Sequence, residues 1–313
     1  MNEFDVIRRF FTHRSPGAVV GVGDDAAIVR ATPGTELLVS TDMLVSGRHF
    51  LADADPRLLG HKALAVNLSD IAAMGGRPRW VTLSLALPRV DMRWLSAFAR
   101  GFMALARRYD VDLIGGDTTR GPLAICVQIT GEVPRGKALR RDGARIGDDV
   151  WVSGRIGEAA LALVRPRLRT PAAVRARWQR RLDAPTPRVE LGTALRGVAR
   201  SMVDVSDGLI ADLGHICERS KVAAVVEAER VPLPVAARLD PRLVATALTG
   251  GDDYELCFTA PAARRMAVEA AGRKARVAVS RIGQIERGAD VTVLDGRGRA
   301  LALRRKGFDH FRQ

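Results

Sequence analysis

Aromatic side chains are scarce in this chain. They make up 5% of its 313 residues, so aliphatic side chains and alanine must fill the core that a 47% hydrophobic composition builds. Cysteine is nearly missing: Cys126, Cys217 and Cys257 stand far apart, each within an apolar segment. Without a CxxC pair there is no disulfide framework, and a reducing cytoplasm fits. The five histidines show no HxxxH or similar spacing, which excludes the usual zinc site. No apolar run approaches the roughly 18 residues that a bilayer-crossing helix needs, so a membrane partner is not expected. The opening MNEFDVIRRFF carries acids and lacks a continuous apolar stretch, unlike a secretory signal. The D-x-D-x-D-G run of an EF-hand is missing, as are the HRD and DFG motifs of protein kinases. GEVPRGKA (131–138) matches the P-loop pattern GxxxxGK, but Ala138 stands where Ser or Thr would hold magnesium and no helix is expected behind it.

What the chain has in excess is arginine. Lys+Arg total 49, of which five are lysine, and the net charge is +14. Such a balance suits nucleic acid, an anionic membrane or phosphorylated small molecules. It also suits an arginine-biased composition, and the spread of the arginines favours that plainer reading. Their densest cluster, RPRLRTPAAVRARWQRR (165–181), holds one tryptophan and no regular aromatic interleaving. It reads as a solvated helix and linker, not as a nucleic-acid groove.

The length suggests two domains. ELLVSTD (36–42) reads as a strand ending in polar residues. LGHKALAVNLSDIAAMG (59–75) reads as a helix with Leu64, Leu68 and Ile71 as its core stripe. VTLSLALP (81–88) alternates as a half-buried strand, with Val81, Leu83, Leu85 and Leu87 on one face. DMRWLSAFARGFMALARRY (91–109) reads as a helix capped by Asp91, with Leu95, Phe98, Phe102 and Leu105 on its apolar face. VDLIGGD reads as a short strand running into a glycine loop, and LAICVQITGEV (123–133) alternates again. The polar segment 134–149 is the expected boundary, giving domains 1–137 and 138–313. The second half begins with a strand at 150–154. Helices follow near 157–165 and 187–200, then a strand and turn in SMVDVSDG (201–208), a helix in LIADLGHICERS, and further strands and a helix to the end. Strands and helices mix without strict alternation, which predicts two α+β domains, each with mixed α/β content.

Aspartates recur beside small residues at the ends of apolar runs. They are Asp24 and Asp25 in GVGDDAA, Asp42 in VSTDM, Asp70 in NLSDIAAMG, Asp117 in IGGDTTRG, Asp204 and Asp207 in VDVSDG, and Asp252 and Asp253 in TGGDDYE. Singly, each reads as a turn former or a helix cap. Asp70 resists that reading, because it lies mid-helix at the rim of an apolar face, three residues after Asn67, and a carboxylate there needs a partner. Together they point to a hard cation bound by oxygen, with glycines that let backbone N–H groups approach phosphate. That combination predicts phosphoryl transfer with several magnesium ions.

With these segments in view, the chain resembles the thiamine-monophosphate kinase family. This is part of an ATP-binding superfamily with aminoimidazole ribonucleotide synthetase and selenophosphate synthetase. The resemblance rests on GVGDDAA, STDMLVSGRHF, KALAVNLSDIAAMG, LIGGDTTRGP, VDVSDGLIADLGH, GGDDYELCF and the terminal KGFDHF, seven segments in family order across nearly the whole chain. It implies transfer of the γ-phosphoryl of ATP to thiamine monophosphate, giving thiamine diphosphate and ADP. It implies that Asp25, Asp42, Asp70, Asp117 and Asp204 hold magnesium, that Ser40 and Thr41 add oxygen ligands, and that Asp207 holds a further metal. Gly116, Asp117, Arg141 and Ser206 would contact ATP, while His49, Asp252 and Phe308 would face the thiamine. Relatives commonly carry glutamate at position 252, and Asp252 is one methylene shorter. Of the neighbours Asp24 and Asp25, the expectation is that Asp25 binds metal and Asp24 caps the turn.

The resemblance further implies a homodimer formed through the sheet of the N-terminal domain, and a C-terminal domain packed against that domain to form the ATP site. The acceptor phosphate has a second pKa near ~6 and is an anion at pH 7, so no general base is expected. Roughly three to five magnesium ions would be needed to bring five or six carboxylates to two anionic substrates. Two alternatives stand: a sister synthetase acting on an amidine or selenide, and a basic nucleic-acid-binding protein. The second leaves the aspartates unexplained.

Overall fold

The computed structural model describes residues 2–164, 170–303 and 307–308. The chain divides into two compact units. One comprises Met1–Ile71 with Gly76–Gly136, and the other Ala72–Gly75 with Lys137–Gln313.

The first unit holds α1 (Glu3–Val6), β1 (Ala18–Val20), β2 (Ile28–Val29), β3 (Thr35–Val45), most of α2 (Pro56–Ala73), β4 (Arg77–Leu87), α3 (Met92–Arg108), β5 (Asp112–Arg120) and β6 (Ala124–Pro134). Asn2 and Asp5 form a capping box on α1, and a π-helical stretch over Ile7–Phe11 buries Phe10 and Phe11. β3, β6, β4 and β5 form a sheet in that order. It is antiparallel except for β4 and β5, which run parallel across the α3 connection. The alternation in β4 is as the pattern predicts: Val81, Leu83, Leu85 and Leu87 are buried. Asp91 caps α3 by accepting the N–H groups of Arg93 and Trp94. Leu95, Phe98, Phe102 and Leu105 are buried, each worth about 1.5–3 kcal/mol of transfer free energy.

The second unit holds β7 (Asp148–Ser153), α4 (Glu158–Val164), α5 (Ala172–Asp183), α6 (Val189–Ala194), β8 (Ser201–Asp204), α7 (Leu209–Ser220), β9 (Ala223–Glu227), α8 (Val235–Leu239), α9 (Pro241–Thr249), β10 (Leu256–Pro261), α10 (Arg265–Ala275), β11 (Val279–Glu286) and β12 (Val291–Leu294). Its six-stranded sheet has the order β12-β9-β11-β7-β10-β8, antiparallel except for β12 and β9. Val150, Val152, Leu161, Leu209, Leu213, Ile216 and Ile282 belong to its apolar core. Both units mix strands and helices, as the α+β expectation has it.

Four local expectations change. β3 continues three residues beyond Asp42, which lies inside the strand opposite Val127. α2 is buried on all sides over residues 62–69, not along one stripe. Gly115 and Gly116 lie within β5, not in a loop after it. α6 stops at Ala194, and Gly197 beyond it takes φ +72°. In the arginine cluster, residues 165–169 lie outside the described residues. The rest is not simply solvated: Trp178 and Leu182 of α5 are buried, while Arg177 and Arg181 face the buried carboxylate of Glu158 at 2.9 and 3.6 Å. No helix among the described residues is long and apolar enough to cross a membrane.

Candidate active site

In the first unit the predicted residues fall into two groups. Ser40 and Asp42 are alternate residues of edge strand β3 and so share a face. The Ser40 hydroxyl donates to the Asp70 carboxylate at 2.5 Å, which supplies the partner that a mid-helix aspartate requires. Thr41 lies on the opposite, exposed side of the strand. Beyond the end of β3, the His49 ring Nδ1 accepts the Val45 N–H at 3.0 Å, which puts the proton of a neutral His49 on Nε2.

The second group lies at the other edge. A cleft of about 830 Å³ is lined by Phe4, Phe11, Asp24, Asp25, Gly116 and Asp117, among others. Asp24 accepts the Asp25 N–H at 2.9 Å, and Asp117 accepts the Thr118 N–H at 2.9 Å. The pairing of β4 with β5 shifts between Val81 and Thr82, so Ile114 is an extra residue. Such a bulge re-aims the residues after it. Gly116 has φ +150°, and a Cβ there would stand 1.9 Å from the Leu83 carbonyl oxygen, so no other residue fits.

The register separates the two groups. Asp42 pairs with Val127, Val127 with Leu83, and Leu83 with Gly116. Three strand spacings of about 4.8 Å put Asp42 roughly 14 Å from Gly116. Among the described residues, no three His, Cys, Asp or Glu side chains stand close enough together to hold a metal ion. The donors themselves are carboxylate and hydroxyl oxygens, with no thiolate among them. That chemistry suits a hard cation such as magnesium.

In the second unit the structure joins residues far apart in sequence. The turn after β8 carries Ser206, Asp207 and Gly208. The Ser206 carbonyl accepts the Asp252 N–H at 2.9 Å, the Asp207 carbonyl accepts the Phe308 N–H at 2.9 Å, and the Val205 carbonyl accepts the Tyr254 N–H at 2.8 Å. Four predicted residues therefore meet through the backbone. Gly251 permits this approach, since a Cβ there would lie 2.1 Å from the Ser206 carbonyl oxygen. Asp252 and Tyr254 take φ +71° and +49°. Left-handed backbone in residues other than glycine costs about 1–3 kcal/mol each and gathers at functional sites. Asp204 is buried at the end of β8, opposite Leu256. Arg141 is exposed, and its carbonyl accepts from Ser220; no hydrogen bond described here ties it to the turn.

Sequence reasoning missed Asp212. Its buried carboxylate accepts the N–H groups of Ser206, Asp207 and Gly208 at 3.0, 3.1 and 3.1 Å, all on one oxygen. Burial pushes its pKa up to about 7, the charge of Asp207 adds to this, and the three N–H donors pull the other way. The available signal was an acid in the first turn of a helix directly after VSDG. Asp253 proves structural: it is buried and accepts the Gly157 N–H at 2.7 Å, and burial raises its pKa well above the usual carboxylate range.

The chain has relatives over nearly its whole length. Residues 23–133 match the N-terminal domain of AIR synthase related proteins, and residues 145–296 match the C-terminal domain. The thiamine-monophosphate kinase of Salmonella typhimurium is 45% identical over 321 aligned residues, covering 99% of this chain and 98% of its own. The chain belongs to the thiamine-monophosphate kinase family. A solved family structure from Stenotrophomonas maltophilia K279a is 47% identical with a TM-score of 0.85, covering 95% of this chain and 96% of its own. Another, AaThiL complexed with AMPPCP and TMP, is 31% identical with a TM-score of 0.77, covering 98% of this chain and 96% of its own. Arg141 falls between the two matched domains and Phe308 beyond them, so neither rests on a domain match.

Proposed function

We propose that the protein transfers the γ-phosphoryl group of ATP directly, in line, to the phosphate of thiamine monophosphate, forming thiamine diphosphate and ADP. The observation that carries this reading is the full-length likeness to thiamine-monophosphate kinases, one of which is solved with AMPPCP and TMP. The backbone ties among Ser206, Asp207, Asp252 and Phe308 support it, because they join residues read as facing nucleotide, metal and thiamine.

In this reading Asp25, Ser40, Thr41, Asp42, Asp70, Asp117, Asp204 and Asp207 would supply the oxygen ligands of several magnesium ions. Magnesium, when bound, neutralises phosphate charge and fixes the phosphates for transfer. Asp25 is read as the metal-binding member of the pair and Asp24 as the cap of the turn, where its Oδ1 accepts the Asp25 N–H. Gly116 gives ATP phosphate access to backbone N–H groups, while Arg141 and Ser206 contact the nucleotide. His49, Asp252 and Phe308 position thiamine monophosphate. No side chain has to remove a proton, because the acceptor phosphate, with a second pKa of about 6, is ionised at neutral pH. The work of the chain is positioning and charge placement.

Residues 1–137 form the ATP- and magnesium-binding and dimerisation domain, and residues 138–313 supply Arg141, Asp204, Ser206, Asp207, Asp252 and Phe308. A homodimer formed through the first unit's sheet is supported by its edge strand β3, which exposes Leu37, Val39 and Met43. Free cysteines at 126, 217 and 257 support a cytoplasmic setting. The test is product analysis. With ATP, magnesium and thiamine monophosphate, thiamine diphosphate and ADP should form in equal amounts. ATP consumption that leaves thiamine monophosphate unchanged would reject the reading.

A further inference from the structure

We infer that Asp212 is a positioning residue for the phosphoryl transfer, setting the turn that carries Ser206 and Asp207. The inference rests on the roles proposed above for those two residues. Three consecutive backbone N–H groups, those of Ser206, Asp207 and Gly208, converge on a single carboxylate oxygen of Asp212. Three donors on one oxygen fix the orientation of three successive peptide planes, and with them the direction in which the Ser206 and Asp207 side chains leave the backbone. Without Asp212 these N–H groups would seek other partners.

The anchor itself is rigid. Asp212 lies in the first turn of α7, and its own N–H donates to the Gly208 carbonyl at 3.0 Å, so carboxylate and backbone close on the same turn. The carbonyls of the turn face the other way and take the N–H groups of Asp252 and Phe308. Asp212 therefore holds one edge of a turn whose opposite edge holds the residues read as facing thiamine. It reaches the chemistry only through that backbone, so its effect should fall on the geometry of the turn and on what Ser206 and Asp207 bind.

The experiment compares wild type with D212A, D212N and D207N. The first readout needs neither metal nor substrate: hydrogen–deuterium exchange of the 206–208 amides in the ligand-free protein. These amides should be protected in wild type and exchange at least about tenfold faster in D212A. The second is steady-state kinetics with magnesium varied. D212A should lower kcat about 100-fold and raise the magnesium requirement about tenfold, the range seen when a group supporting a metal ligand is removed. D212N keeps an accepting oxygen but a weaker one without charge, so it should show a partial defect: 206–208 exchange and magnesium requirement each raised about threefold, with kcat within about tenfold of wild type. If D212A fails to fold, D212N is decisive: faster exchange with a raised magnesium requirement supports the inference, and wild-type values for both overturn it. A folded D212A with wild-type exchange and kinetics also overturns it. D207N separates this inference from the reading beneath it. An unchanged magnesium requirement in D207N would remove the metal role of Asp207, while faster exchange in D212A would still establish Asp212 as the anchor of the turn.

Discussion

At the scale of single residues, the pair Asp24 and Asp25 separates two uses of a carboxylate. The Asp24 oxygen is taken by the N–H of its neighbour, so an amide at position 24 can still accept that bond. Asp25 has no such duty described. D25N should therefore lower kcat at least about tenfold more than D24N, and equal losses in steady-state kinetics would contradict the division. Asp70 is the sharper case. Its bond to Ser40 links a helix to a strand, and D70N preserves that contact while removing the charge. Turnover should fall about 100-fold or more with the thermal midpoint little changed. These aspartates were legible in the sequence because acids beside small residues at the ends of apolar runs are conspicuous in a basic chain. Asp212 was not, because an acid in the first turn of a helix is ordinary. Its three N–H partners become visible only once the turn is folded back over it.

At the scale of elements, the strands and helices with one buried and one more open face followed from periodicity. β4 and α3 are the clear cases. The failures have physical causes. Glycine signals a loop in sequence, yet Gly116 sits in β5 because the strand passes so close to the Leu83 carbonyl that a side chain is excluded. G116A should therefore disturb the pairing of β4 with β5 and destabilise the fold by about 2 kcal/mol or more. A denaturant midpoint equal to wild type would show that the strand can move away. Leu64, Leu68 and Ile71 of α2 are buried as the stripe requires, but so are Lys62, Ala63, Ala65, Val66, Asn67 and Ser69 around them, so the helix has no open face there. Asp42 reads as a strand end because it is charged, but β3 continues past it at the edge of the sheet.

At the scale of the whole molecule, the two-unit division is visible in the polar stretch after residue 134, whereas the separation of the first unit's aspartates into two groups is not. That depends on strand order, which composition does not encode. The proposed dimer gives one prediction. V39K places a charge on the exposed face of β3, where Val39 is 66% exposed, and should shift the protein from dimer to monomer in sedimentation velocity; an unchanged dimer would exclude that face. Stability against acid gives another. Burial would raise the Asp149 carboxyl, but bonds from Arg265 at 2.6 and 2.8 Å and from Arg281 at 3.3 Å outweigh it and hold the pKa below the usual value. A depressed carboxylate pKa stabilises the fold above the unfolded value of about 4, and that stability is lost as pH falls through the folded value. The wild-type advantage over D149N, about 2 kcal/mol at pH 7 in urea unfolding, should shrink below about pH 4; an advantage constant with pH would contradict it.

The central claim is direct phosphoryl transfer, and its most direct test follows the phosphate itself. ATP labelled in the γ-phosphate is given to the protein with thiamine monophosphate, with and without magnesium. The account predicts that the label appears in the terminal phosphate of thiamine diphosphate, in step with ADP and only when magnesium is present. Label recovered as inorganic phosphate, with thiamine monophosphate unchanged, would contradict it.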